Sequence, residues 1–255
     1  MNKQIFVFLI LTAVVLQSCS FFGDIIKPEG NKVVDTYSVS DFRKISISGK
    51  MSLELMNGEQ ELRIETFENV HEYIETSVRN GELKVETKRN TKFSKDPQIT
   101  LFVTADLINQ IRISGSSNVY FVDYNTNDIA VRTSGSGNLY GSLTATSIAF
   151  KSSGSSRVDL QIDCNRLTNE TSGSSKYKFA GLTETHEIVC SGTSTLEAFD
   201  LEAKHTNMQI SGSAKIDVTV LETLNVNTSG SAHIRYKGNP QVSQKISGSG
   251  KIENI

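Results

Sequence analysis

The chain has 255 residues, with 26 basic and 28 acidic side chains, a formal net charge of −2, no Trp, three Pro and 18 Gly. This near-neutral, slightly acidic balance supplies no basic field for nucleic acid. The length suits one elongated repeat domain, which need not split as a globule of this size would.

The N-terminus, MNKQIFVFLILTAVVLQSCS, sets Lys3 before an apolar run from Ile5 to Leu16 and ends in Leu16-Gln17-Ser18-Cys19. The run is too short to span a bilayer comfortably and reads as a signal peptide over residues 1–18. Small Ser18 before Cys19, with Leu16 at the third position before it, resembles a bacterial lipobox, although Gln17 is bulkier than the residue usual there. That resemblance implies lipidation at Cys19 and a membrane anchor made of acyl chains rather than a span. An ordinary cleaved signal with an incidental cysteine is the alternative. Residues 19–31, carrying Gly23, Pro28 and Gly30, read as a tether. Only Asp24 and Glu29 are acidic there. The acidic cluster that routes some lipoproteins to the cell surface is thus missing. A periplasm-facing place on the outer membrane is expected over a surface-exposed one.

Residues 32–110 alternate as strands without a tidy repeat. Lys44–Leu55, KISISGKMSLEL, places Ile45 and Ile47 before Ser48-Gly49 and Leu53 and Leu55 after it. Further alternation occurs at Leu62/Ile64, Leu83/Val85 and Ile99/Leu101/Val103, while Asn57-Gly58 and Asn80-Gly81 are hairpin or corner signals. Val70–Val78 reads as a short helix and Asn90–Pro97 as a charged loop. The region is either a set of degenerate coils or an N-terminal cap, which a solenoid needs to cover its open edge.

From residue 111 to 255 one unit recurs. Ser-Gly pairs begin at Ser114, Ser134, Ser153, Ser172, Ser191, Ser211, Ser229 and Ser247, in steps of 18 to 20 residues. With the Ser numbered zero, apolar or small residues fall at −5, −3 and −1 (Ile129, Val131, Thr133) and at +5 and +7 (Val119, Phe121). A third apolar touch comes near +9 or +10, at Leu143, Ile162, Leu182 and Leu201. Period two is strand spacing. One such turn cannot bury its apolar face alone, whereas stacked turns share a core. The expected fold is therefore all-β, a parallel β-solenoid of about 19 residues per coil.

The repeat glycines, Gly115, Gly135, Gly154, Gly173, Gly192, Gly212, Gly230 and Gly248, read as structural turns where positive φ is needed. Stacked serines at the corner are expected to form a hydroxyl ladder. A ligand-binding nest is the other reading, and eight copies argue against it. Cys190 falls inward as a small filler. Cys164 falls in a loop, so no disulfide joins the two.

No motif of a known chemistry is completed. Gly135-Ser136-Gly137 and Gly248-Ser249-Gly250-Lys251 finish neither a dinucleotide fingerprint nor a P-loop. No GxSxG elbow occurs, and His71, His186, His205 and His233 are scattered. No metal motif, catalytic residue or cofactor is expected. The +4 column runs Asn118, Asn138, Arg157, Lys176 and the +6 column Tyr120, Tyr140, Asp159, Lys178. These columns read first as a solvated face with cross-rung ion pairs. As a function, Asn118, Tyr120, Asn138 and Tyr140 could stack on and hydrogen-bond a glycan. The alternative is a polysaccharide lyase or hydrolase of β-helix type, which needs two carboxylates about 5–10 Å apart.

The ordered motifs YSVSDFRKISISGKMSLEL at Tyr37–Leu55, NGELKVETKRN at Asn80–Asn90 and LFVTADLINQIRISGSSNVYF at Leu101–Phe121 precede the SGS coils. Together they resemble the Bacteroidetes lipoprotein family of the putative autotransporter adhesin, head GIN domain. Members usually carry a proline before the leucine where this chain has Ala105-Asp106-Leu107. The likeness covers about residues 32–255. It implies a right-handed β-helix-like solenoid exported by bacteria, with no recognised enzymatic activity. The leading expectation is a non-enzymatic cell-envelope lipoprotein whose flank binds a glycan or an envelope protein, or which acts as a structural spacer.

Overall fold

The computed structural model describes residues 25–255, so the signal peptide, Cys19 and the first part of the tether lie outside the described residues. The N-terminal region contributes β1 (Ile25–Ile26), β2 (Lys32–Tyr37), β3 (Lys44–Gly49), β4 (Met51–Met56) and β5 (Glu61–Phe67). It continues with β6 (Ile74–Arg79), β7 (Glu82–Thr87), β8 (Lys92–Phe93), β9 (Ile99–Thr104) and β10 (Gln110–Gly115). The coils follow as β11 (Asn118–Thr133), β12 (Asn138–Ser152), β13 (Arg157–Thr171), β14 (Ser174–Cys190), β15 (Thr193–Ile210) and β16 (Ser213–Thr228). β17 (Ser231–Lys237), β18 (Gln241–Ile246) and β19 (Lys251–Asn254) complete the stack.

Each coil pairs in parallel with the next in near-perfect register: Asn118 meets Asn138, Asn138 meets Arg157, and Arg157 meets Lys176. The inward +5 column runs Val119, Leu139, Val158, Tyr177, Leu196, Ile216, Ile234, all buried. Alternation along each strand thus becomes one apolar column per position, the parallel β-solenoid expected. Phe150 and Phe179 stack inside it with centroids 5.7 Å apart.

Residues 32–110 form an irregular β region in which β3 and β4 belong to the stack and the other strands cover its first edge, as a cap. Ser48 and Gly49 pair directly with Ser114 and Gly115, so β3 and β4 are the first coil of the stack. The chain between them leaves the stack, adds β7 beside β3 and β9 beside β4, and returns at β10. On the outer side β6 pairs antiparallel with β7, β5 with β9, and β2 with β5. Of the helix expected over Val70–Val78 only Val70–Tyr73 is helical, as the end of a 3-10 helix, Glu68–Tyr73, that buries Val70. Ile74, Thr76 and Val78 instead alternate as a strand against β7, as β-branched residues favour.

The corner works differently from the expectation. Of the eight repeat glycines only Gly115 has positive φ, +99°. The others are required by contact: a Cβ on Gly135, Gly154 or Gly173 would stand 2.1 Å from the carbonyl oxygen of the glycine one rung below. The hydroxyls do not bond one another either. Ser134, Ser153, Ser172 and Ser191 each donate to the −1 carbonyl of the preceding coil at 3.4–3.5 Å. The side chains that do form a hydroxyl chain lie behind the corner. Buried Ser156 bonds Thr133 at 2.6 Å and Ser152 at 2.8 Å, and Ser175 donates to Ser152 at 2.9 Å.

Two further positions differ. Leu182 is exposed, because Gly181 and Thr183 on either side take the inward places above Ile162 and Cys164. Cys164 lies within β13, buried, with its thiol 3.4 Å from the Thr183 hydroxyl. Cys164 and Cys190 are both free.

Candidate functional site

The register brings Tyr120 onto Tyr140 and Asn118 onto Asn138. The two rings stack at 5.4 Å with planes 23° apart, worth about 1 kcal/mol. Asn138 Nδ2 donates to Asn118 Oδ1 at 2.9 Å. The ring faces are therefore turned toward each other, and the flank offers their edges. Both tyrosine hydroxyls, Asn118 Nδ2 and Asn138 Oδ1 have no protein partner among the described residues.

Further along the flank the cross-rung ion pairs form. Lys176 meets Glu197 at 2.7 Å, Lys178 meets Asp159 at 3.7 Å, and His233 meets Glu253 at 3.0 Å. Arg235 forks onto Asp217, Nε to Oδ1 at 2.8 Å and Nη2 to Oδ2 at 2.6 Å. Those bonds raise the Arg235 guanidinium above its usual range. Phe199, displaced at the bulge between Ala198 and Glu202, lies under the cations of Arg235 (5.4 Å) and Lys237 (4.6 Å).

The histidines stay apart. His71 bonds the Tyr37 hydroxyl and the Val33 carbonyl, and His205 bonds Thr223. His186 is buried with Nε2 2.8 Å from Asn169 Oδ1, and burial holds its pKa down to about 3. Among the described residues no group of three or more His, Cys, Asp or Glu is placed to hold a metal ion. No described helix is long and apolar enough to cross a membrane.

Grooves open elsewhere than at the tyrosine pair. One, of about 540 Å³, follows the serine corner past Arg112, Arg132 and Lys151. Another, of about 590 Å³, lies at the cap beside Phe42, Gly81 and Leu107. A third, of about 540 Å³, runs along Asn207, Asn225 and Asn227. Sequence reasoning missed the first because its charge depends on which acids reach the column. It also missed Tyr124, whose hydroxyl donates to the Ala105 carbonyl and accepts from the Ile108 N–H. Its signal was available, since Tyr124 occupies the +10 position after Ser114.

The sequence that forms this stack matches a known family model. The putative auto-transporter adhesin, head GIN domain, matches residues 41–160 and again 141–240. The chain belongs to this family.

Solved structures agree with the fold of this head GIN domain chain. A putative adhesin from Parabacteroides merdae is 20% identical with a TM-score of 0.82, covering 91% of this chain and 99% of its own. A putative lipid binding protein from Parabacteroides distasonis is 22% identical with a TM-score of 0.80, covering 91% and 100%. A putative adhesin from Bacteroides fragilis is 21% identical with a TM-score of 0.70, covering 90% and 100%. At these identities the likeness is one of fold. No curated protein matches the chain.

Proposed function

We propose that this head GIN domain protein is a non-enzymatic binding solenoid of the cell envelope. In this reading it is tethered by lipid at Cys19, most simply facing the periplasm from the outer membrane. Its flank presents Asn118, Tyr120, Asn138 and Tyr140 to a glycan. The observation that carries this is the stacked, solvent-edged pair of Tyr120 and Tyr140, which hold two free hydroxyls on rigid neighbouring rungs. A pre-ordered row of polar groups beside aromatic edges binds at little entropic cost. The names of the family and of its solved relatives, adhesins in most cases, support a binding role.

The polysaccharide-cleaving alternative is less well supported. Asp159, Glu197 and Asp217 are each held by a cation, so none forms the acid and base pair that glycoside cleavage needs. Retention of the purified protein on immobilised host-envelope polysaccharide tests the reading. Wild type is expected to be retained with the glycan left at full length. The Tyr120→Ala/Tyr140→Ala variant should elute freely while melting within a few degrees of wild type. Retention of the folded double variant would refute the flank, and progressive shortening of the glycan would refute the non-enzymatic role. Protease shaving of intact and lysed cells tests the leaflet: digestion on intact cells would place the protein outside.

A further inference from the structure

The groove along the serine corner contains a cation whose neighbours have taken the nearby acids. Arg112, Arg132 and Lys151 stand in direct register on three successive rungs. Arg112 bonds Glu82 of the cap at 2.5 Å, and Lys151 bonds Glu170 at 2.7 Å. Arg132, exposed between them, has no acidic partner among the described residues. Like charges directly opposite on neighbouring strands destabilise each other, and rungs are only about 4.8 Å apart. The column therefore lacks one negative charge, and the surface beside Arg132 is open to an anion from outside.

The shape of the groove narrows the class of anion. Its volume is about 540 Å³, and it runs from Ser46 along the corner to Ser191. That is six rungs, roughly 24 Å, so the groove is long along the stack. Its floor carries Ser114, Ser134 and Ser153, whose hydroxyls repeat at the rung spacing. The Ser134 and Ser153 bonds to backbone carbonyls are long, 3.4 Å, leaving their oxygens free to accept. A compact anion would use one rung of this surface. An extended chain with acid groups and many hydroxyls would use all of it.

We infer that this corner groove binds an acidic polysaccharide, with a carboxylate of the chain received by the Arg132 guanidinium and sugar hydroxyls by the serine column. A planar guanidinium can receive a carboxylate through two parallel N–H bonds. The site lies across the corner from the tyrosine flank and does not rest on the reading of that flank. The net charge of the protein is −2, so indiscriminate attraction of polyanions is disfavoured.

Titration of the purified protein with polygalacturonate, with neutral dextran and with anionic phospholipid vesicles tests this. Wild type should bind polygalacturonate, more weakly as salt rises, and leave dextran unbound. Arg132→Ala should weaken binding by about tenfold or more, and Arg132→Glu further, with melting temperatures preserved because Arg132 has no partner to lose. Lys215→Ala, which removes another exposed charge on a different column, should bind as wild type. The proposal is overturned by equal loss in Lys215→Ala, by unchanged binding in both Arg132 variants, or by no binding of polygalacturonate. Binding to the vesicles alone would also overturn it.

Discussion

Gly154 sits directly on Gly135: a Cβ added to Gly154 would lie 2.1 Å from the Gly135 carbonyl oxygen. That oxygen also accepts the Ser155 N–H at 3.0 Å, so the rung-to-rung ladder continues through the corner. Gly154→Ala must therefore push two coils apart where backbone meets backbone, with no flexible side chain to give way. A loss of about 3 kcal/mol is expected, at the upper end for overpacking. Gly81→Ala provides the contrast. Its φ is +69° but open space surrounds it, so the cost is the backbone strain an alanine incurs there, about 1 kcal/mol. Chemical denaturation of both variants checks the ranking, and an equal cost at both positions would contradict the steric account.

The periodic part of this fold was legible because burial repeats. An inward position must be apolar or small in every coil, and Val119, Leu139 and Val158 mark it at each step. The same counting placed Tyr120 over Tyr140 and Asn118 over Asn138. Pairings made by the cap were not legible. Glu82 reaches Arg112 only because β7 lies beside β3 and β3 beside β10, a placement without local signal. Leu182 misled because hydrophobicity alone does not set phase. Gly181 and Thr183 hold the inward places, and a shift of one residue reverses the face. The corner glycines were found for an incomplete reason, since the need for bare backbone comes from the rung below.

Tyr124 ties the cap to the first coils. Its buried hydroxyl donates to the Ala105 carbonyl at 2.9 Å and accepts from the Ile108 N–H at 3.0 Å, and burial pushes its pKa up to about 12. Tyr124→Phe keeps the ring and leaves a buried N–H and a carbonyl unpaired. The expected cost is about 2 kcal/mol. Hydrogen exchange should accelerate at the Ile108 amide first, while amides of β13 and β14 keep their protection. Unchanged exchange at Ile108 would show that the hydroxyl is not what holds this segment.

Neither cysteine is placed for reactivity. Cys164 and Cys190 are both buried, and burial pushes the Cys164 thiol up to about 11. The thiolate is the reactive form, so little of it exists at ordinary pH. The folded protein at pH 8 should leave both thiols unmodified by a thiol-reactive chromophore, and unfolding should release both. Rapid modification of Cys164 in the folded protein would mean that β13 opens locally.

His186 makes stability depend on pH in a definite direction. Burial depresses its pKa from 6.5 to about 3, while the unfolded chain recovers the ordinary value. Between those limits the unfolded state binds a proton that the folded state excludes. The stability present above pH 6.5 is therefore lost progressively as pH falls toward 3. Other titrating groups act alike in wild type and in His186→Leu, so the difference between their pH profiles isolates this imidazole. From pH 7 to pH 4.5 wild type should lose about 2.5 kcal/mol relative to the variant. Whatever offset the variant carries from leaving the Asn169 amide without its imidazole partner is the same at both pH values, and only the slope decides. Parallel profiles would mean that acid reaches the imidazole through an opening between coils, and that the core around Asn169 is not closed to water.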